Sequence, residues 1–179
     1  MSVISTEEIR THFPALQRMQ SGYSVGYFDG PGGTQVPVAV AQAVSEYLLS
    51  HNANTDWRYP TSEETDELLH QARQIFADFL GCCSREIVFG NNMTTLTFHL
   101  SRTLGRLWGP GDEIIVTQMD HQANQAPWRS LESERGLKVH TVPMLPENGT
   151  LDWDVLTKLF SKRTRLLAIG GASNSLGTV

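Results

Sequence analysis

The run Gly90-Asn91-Asn92-Met93-Thr94-Thr95 puts a flexible turn in front of hydroxyl side chains. If a helix starts there, its first N–H groups lack intrahelical acceptors and face outward with the positive end of the helix dipole, a combination that holds phosphate. The plainer alternative is that Asn92 or Thr94 only caps its own helix. No Gly-Lys-Ser/Thr follows, so this is not a Walker A loop. A second group is Asp120-His121-Gln122-Ala123-Asn124, where an imidazole could stack on a ligand, bind a metal or move a proton, or serve only as a polar loop residue. The third is Ser173-Asn174-Ser175-Leu176-Gly177-Thr178: the Asn174 amide can donate to an anionic oxygen or stabilise a turn. Gly171-Ala172-Ser173-Asn174-Ser175 misses the Gly-x-Ser-x-Gly nucleophile elbow by its last residue, and no helical pattern follows it. A serine hydrolase using Ser173 is therefore a distant alternative.

Metal chemistry finds little support. The six histidines show no paired spacing, and Cys82-Cys83 are adjacent, which suits neither a zinc site nor a mutual disulfide. Two cysteines at the end of a helical pattern read as buried packing in a reduced, cytoplasmic setting.

The elements that must position these groups follow from periodicity. Val40, Val44, Tyr47 and Leu48 recur at helical spacing after Pro37. Thr61 with Glu64 three residues on is a capping-box signature for a second helix, whose apolar face is Leu68, Leu69, Ala72, Ile75, Phe76, Phe79 and Leu80, and which Gly81 ends. From there the chain alternates: strand at 86–89, helix at 94–108, strand at 113–117, helix at 123–135, strand at 137–142, helix at 152–160 and strand at 165–169. Short apolar strands between helices imply a mostly parallel sheet covered on both faces. Ligands in such sheets bind beyond the carboxyl ends of the strands, so all three polar groups should open on one edge. Residues 1–35 read as irregular, with Asp29-Gly30-Pro31-Gly32-Gly33 as the most glycine-dense loop.

Composition sets the outer bounds. A chain of 179 residues that is 40% hydrophobic can build a sizeable core, and its net charge of −5 offers no basic surface for nucleic acid. No apolar run reaches membrane-spanning length and the N-terminus lacks a secretory signal pattern. A small metabolite or cofactor is the expected partner.

The order strand, Thr-rich helix start, strand, Asp-His-x-x-Asn-x-x-x-Trp, strand, Ser-Asn-x-x-Gly-Thr resembles the cofactor-binding half of the class V aminotransferases and cysteine desulfurases. The segments FDGPGGTQVP, FGNNMTTLTFHLSR, PGDEIIVTQMDHQANQAPW and KRTRLLAIGGASNSLGTV carry the resemblance, which covers nearly the whole chain from about Phe28. Within the family the chain is most similar to the cysteine-desulfurase-like branch. The resemblance implies an α/β, three-layer type I fold of pyridoxal-5′-phosphate (PLP) enzymes, with residues 1–35 as an N-terminal arm and 36–179 as the first part of the large, cofactor-binding domain. It also implies PLP as cofactor, an amino-acid substrate and a homodimer.

Carried over residue by residue, the resemblance implies that Thr94, with the Met93 backbone, holds the cofactor phosphate, with Thr95 as a weaker candidate. His121 would lie flat against the pyridine ring, and Asn174 would donate to its phenolic oxygen. Many relatives have an acidic residue and then an asparagine in the phosphate helix, where this chain has Thr95 and Phe98. The family's Schiff-base lysine, its pyridine-pairing aspartate and the desulfurase cysteine all follow the Ser-Asn-x-x-Gly-Thr segment, whereas this sequence stops at Val179. Lys138, Lys158 and Lys162 read as solvated charges, so no catalytic residue is expected among these 179 and the fold is expected to be C-terminally incomplete. Arg58, in Asp56-Trp57-Arg58-Tyr59-Pro60, is either a carboxylate binder or a packing residue. The expected activity is desulfuration, elimination or transamination of an amino acid; the rival is a non-catalytic remnant or interaction module of the same fold.

Overall fold

A computed structural model describes residues 4–30 and 32–179, so Pro31 of the glycine-rich run and the first three residues of the N-terminal arm lie outside the described residues. The chain divides into two compact units, Met1–Val88 and Phe89–Val179.

The first unit contains helices α1 (Thr6–Thr11), α2 (Val38–Glu46) and α3 (Pro60–Leu80) and an exposed two-stranded antiparallel ribbon, β1 (Met19–Gln20) with β2 (Tyr23–Ser24). The arm is therefore not irregular throughout. Ser5 caps α1 by accepting the Glu8 N–H at 3.1 Å. A π-type turn, Tyr47–His51, extends α2. The capping box expected at Thr61 does not form. Pro60 takes the first helical position, where its fixed φ and missing N–H cost nothing, and Tyr59 flanks it without a side-chain cap. Glu64 instead meets His51 Nδ1 at 2.5 Å. Gly81 does end α3, with φ 70° in the left-handed region that favours glycine, and Cys82 N–H returns to the Ala77 carbonyl at 3.0 Å. Cys82 and Cys83 are both exposed, contrary to the expectation of buried packing. Leu68, Ile75, Phe76, Phe79 and Leu80 are exposed too, so the apolar stripe of α3 is real in sequence but is not core among the described residues.

The strand expected at 86–89 is absent. Ser84–Glu86 forms a 3₁₀ turn and Ile87 is extended (φ −88°, ψ 123°), yet no described strand pairs with it; extended backbone without a ladder partner is not a strand.

The second unit carries helix α4 (Met93–Gly105), strand β3 (Glu113–Thr117), helix α5 (Ala126–Arg135) and strand β4 (Lys138–Val142). A small ribbon of β5 (Met144–Leu145) and β6 (Thr150–Leu151) follows, then helix α6 (Trp153–Leu159) and strand β7 (Thr164–Ala168). The sheet order is β4-β3-β7, all parallel. Central β3 is buried on both faces, as its unbroken apolar run requires. Alternation along it splits the core in two. Ile114 and Val116 pack with Trp128, Leu131, Leu137 and Ala168, joined by Leu104 and Trp108, beneath α4 and α5. Ile115 packs with Val142, Leu151 and Leu156 on the α6 side. The result is the expected three-layer α/β arrangement. Arg102 fastens α4 to α5 through Glu134 and the Pro127 carbonyl, its guanidinium lying 4.7 Å from the Phe98 ring centroid.

Below the sheet, Asp112 accepts the Gly109 N–H at 2.9 Å and the Arg165 Nε at 2.9 Å, clipping the turn before β3 to β7. The Gly109 N–H, then the hydrogen bond and charge of Arg165 and the charge of Arg163, hold its carboxyl below the ordinary value against a smaller opposing effect of desolvation. A depressed carboxylate contributes stability above its unfolded pKa of about 4 and loses it as pH falls through the lower folded value. We expect Asp112→Asn to be less stable than the parent in urea unfolding at neutral pH, with the gap narrowing below about pH 4; a gap constant with pH would mean that the charge contributes nothing.

Candidate functional site

Two of the three polar segments follow the parallel strands β3 and β7 and open on one edge of the sheet, as the strand-end rule requires; segment 90–95 directly follows no described strand, and only its Met93 reaches the same edge. A cavity of about 750 Å³ lies beyond the carboxyl ends of β3 and β7. His121 and Asn174 border it, and Met93 reaches it from the first turn of α4. Met119, Leu151, Trp153 and Ile169 supply apolar wall; none of these four was singled out in the sequence, Leu151 lying on the unanticipated ribbon β5–β6 and Trp153 at the start of α6.

At α4, Asn92 is the cap: its Oδ1 accepts the Thr95 N–H at 2.9 Å, so the capping alternative holds for Asn92. No hydrogen bond among the described residues engages the N–H groups of Met93 and Thr94. Thr94 itself is exposed and borders a neighbouring hollow of about 330 Å³ with Thr95, Phe98, His99 and Arg102, not the main cavity. The structure thus brings Met93, His121 and Asn174 to one cavity and leaves the Thr94 side chain on the adjoining face of the same helix turn.

His121 is held by a local turn. Its Nδ1 accepts the Ala123 N–H at 3.1 Å, which puts the proton of a neutral ring on Nε2 and fixes the imidazole against the start of the 3₁₀ turn Gln122–Asn124. Among the described residues no cluster of three or more His, Cys, Asp or Glu side chains could hold a metal.

The Asn174 loop is closed by its own backbone: Ser173 N–H donates to the Thr178 carbonyl at 2.8 Å and Gly177 N–H to the Ser173 carbonyl at 2.9 Å. Thr178 Oγ1 then donates to the Gly149 carbonyl at 2.9 Å, pinning the loop to the β5–β6 ribbon. Ser173 Oγ accepts the Leu176 N–H at 3.2 Å, a turn role, and among the described residues no base is hydrogen-bonded to it. That arrangement speaks against the hydrolase alternative. Lys138, Lys158 and Lys162 are exposed and none borders the cavity, consistent with solvated charges. Arg58 is exposed.

Asp120 is the residue that sequence reasoning undervalued. Its carboxylate accepts from Thr117 Oγ1, from Asn124 Nδ2 at 2.9 Å and from Gly170 N–H at 3.2 Å, and its carbonyl accepts from Gln125 Nε2 at 2.5 Å. No periodicity signals a contact between residues 50 positions apart.

A three-layer α/β fold with a cavity at the carboxyl edge of its parallel sheet, rimmed by a helix start, a fixed imidazole and an amide loop, has the architecture in which α/β proteins commonly bind small ligands. Residues 26–179 match the family described as aminotransferase class-V, and the chain belongs to that family, whose members use PLP. It is 38% identical over 177 residues to a probable cysteine desulfurase of Xylella fastidiosa (strain 9a5c), covering 97% of this chain and 42% of that protein. Among solved structures it is similar to the apo cysteine desulfurase of Thermococcus onnurineus NA1, with a TM-score of 0.84 and 29% identity over 97% of this chain and 42% of that one. It is also similar to the cysteine desulfurase CsdA (S-sulfonic acid) of Escherichia coli, with a TM-score of 0.80 and 29% identity over 98% and 43%. The chain thus spans less than half the length of the relatives it matches.

Proposed function

We propose that this chain forms the cofactor-facing part of a PLP-dependent enzyme of the cysteine desulfurase and class V aminotransferase type, acting on an amino-acid substrate as a cytoplasmic homodimer. The observation that carries the reading is the convergence of Met93, His121 and Asn174 on one cavity beyond the strand ends. The residues present fit the cofactor's chemistry. Two unengaged N–H groups at the start of a 13-residue helix suit a phosphate. An imidazole held through Nδ1 suits a flat ring, and an exposed carboxamide can donate to a phenolic oxygen.

When bound, PLP supplies an electron sink for breaking bonds at the substrate's α-carbon. This chain's residues bind and orient. Met93 and Thr94 N–H groups, with the Thr94 hydroxyl, hold the phosphate end; His121 fixes the ring plane; Asn174 donates to the ring oxygen. Met119, Leu151, Trp153 and Ile169 exclude water from one side of the cavity. The exposed apolar stripe of α3 supports burial against further protein, in keeping with a homodimer.

The test is to incubate the protein with PLP, reduce with borohydride and map labelled lysines by mass spectrometry. PLP should bind, with no stoichiometric label on Lys138, Lys158 or Lys162. Full labelling of one of them, together with turnover of an amino acid, would relocate the reactive group into this chain and sink the assignment.

A further inference from the structure

We infer that Asp120 is a positioning residue that sets the separation of the two polar walls of the cavity by tying the His121 turn to the Asn174 loop. The ladder between β3 and β7 ends at the pair Val116↔Ala168. Past that point the two strands lead into separate loops, one to His121 and one to Asn174. Among the described residues, a single hydrogen bond joins segment 118–125 to segment 169–179: Gly170 N–H to Asp120 Oδ2, at 3.2 Å.

The carboxylate is fixed from its own side before it reaches across. Thr117 Oγ1, on the buried last residue of β3, donates to Oδ2, and Asn124 Nδ2 donates to Oδ1 at 2.9 Å. Asp120 N–H returns to Thr117 Oγ1 at 3.2 Å, and the nearly buried Gln125 holds its carbonyl at 2.5 Å. Bonds to an ionised acceptor are about twice as strong as neutral ones, so this one side chain can carry the link. Gly170 is matched to it: a Cβ there would lie 2.9 Å from Asp120 Oδ1, and only glycine lets the backbone approach so closely. His121 follows Asp120 directly, and Asn174 stands four residues after Gly170. Asp120 itself borders the cavity, but among the described residues its carboxylate hydrogen-bonds to neither the His121 nor the Asn174 side chain, and its link between the two segments positions both.

The inference rests on the cofactor reading only for its second readout. Hydrogen–deuterium exchange would be followed in the intact protein for segment 169–175 and, as a core reference, for 113–117, alongside a PLP titration by absorbance. Asp120→Ala should raise exchange in 169–175 about tenfold or more with the core reference unchanged, because opening no longer breaks a charge-assisted bond. PLP affinity should fall with it. Asp120→Asn keeps one acceptor for Gly170 but loses the charge and sets an NH2 against a donor, so it should restore part of both, a partial rescue that bulk side-chain packing alone would not link to one amide. Should Asp120→Ala fail to fold, Gly170→Ala carries the test, since its methyl displaces the carboxylate from the other side and should loosen 169–175 likewise. Unchanged exchange in 169–175 in a folded Asp120→Ala or Gly170→Ala protein overturns the inference. Failure of the unmutated protein to bind PLP would count against the proposed function alone, since the exchange measurement still decides the tether.

Discussion

Trp128→Ala is expected to cost about 3–5 kcal/mol of stability, the range for emptying a large aromatic site in a packed core. Trp128 is 3% exposed and sits between β3 and its helical cover, against Ile114, Val116, Leu131, Leu137 and Ala168. Interiors at crystal-like density cannot close over a hole that size without moving the sheet or the helix. Its Nε1–H also reaches Asn124 Oδ1 at 3.4 Å, a long contact whose loss adds little. Trp128→Phe, which refills most of the volume, should recover much of the loss. Urea unfolding followed by circular dichroism measures both, and an alanine variant within about 1 kcal/mol of the parent would show that this core is far looser than its burial indicates. The same residue illustrates how a motif divides: in Asp-His-x-x-Asn-x-x-x-Trp the histidine faces the cavity while the tryptophan is core.

What the sequence made legible was what local pattern can encode. β3, β4 and β7 begin and end within about a residue of the periodicity reading; for central β3 the cause is that a strand covered on both faces must be apolar at successive positions. The convergence of the His121 and Asn174 loops on one edge followed from the parallel topology, not from any single residue. Failures came where the outcome depends on a distant partner. Residues 86–89 have strand composition but no described neighbour to pair with. The stripe on α3 has perfect helical spacing, yet periodicity shows only that a face is apolar, not that anything covers it. The β5–β6 ribbon carries a turn signal in Asn148-Gly149, but each strand has only two residues, too few for any alternation to show. Ser5-Thr6-Glu7-Glu8 likewise spelled a helix start inside a segment read as irregular. Asp120 had no such signal, since its role exists only once β7 lies beside β3.

His121→Ala should weaken PLP binding about tenfold, the upper range for one aromatic stacking contact. The ring's pose does not depend on the ligand: Ala123 N–H already holds Nδ1 at 3.1 Å, so binding would meet an imidazole in place and lose little entropy in ordering it. His121→Phe keeps a flat face without the Nδ1 acceptor and should recover part of the affinity. Asn174→Ala should differ in kind. Removing a donor to the phenolic oxygen changes the electronics of the bound ring, so its absorption maximum should shift more than affinity falls. Thr94→Val provides a third, separable signature: it removes a hydroxyl from the phosphate end, weakening binding with the absorption maximum unmoved. Titration of each variant with PLP, monitored by absorbance, reads all three. If His121→Ala and Asn174→Ala both bound PLP as the parent does, with the same spectrum, the cofactor would lie elsewhere than in the cavity these residues share.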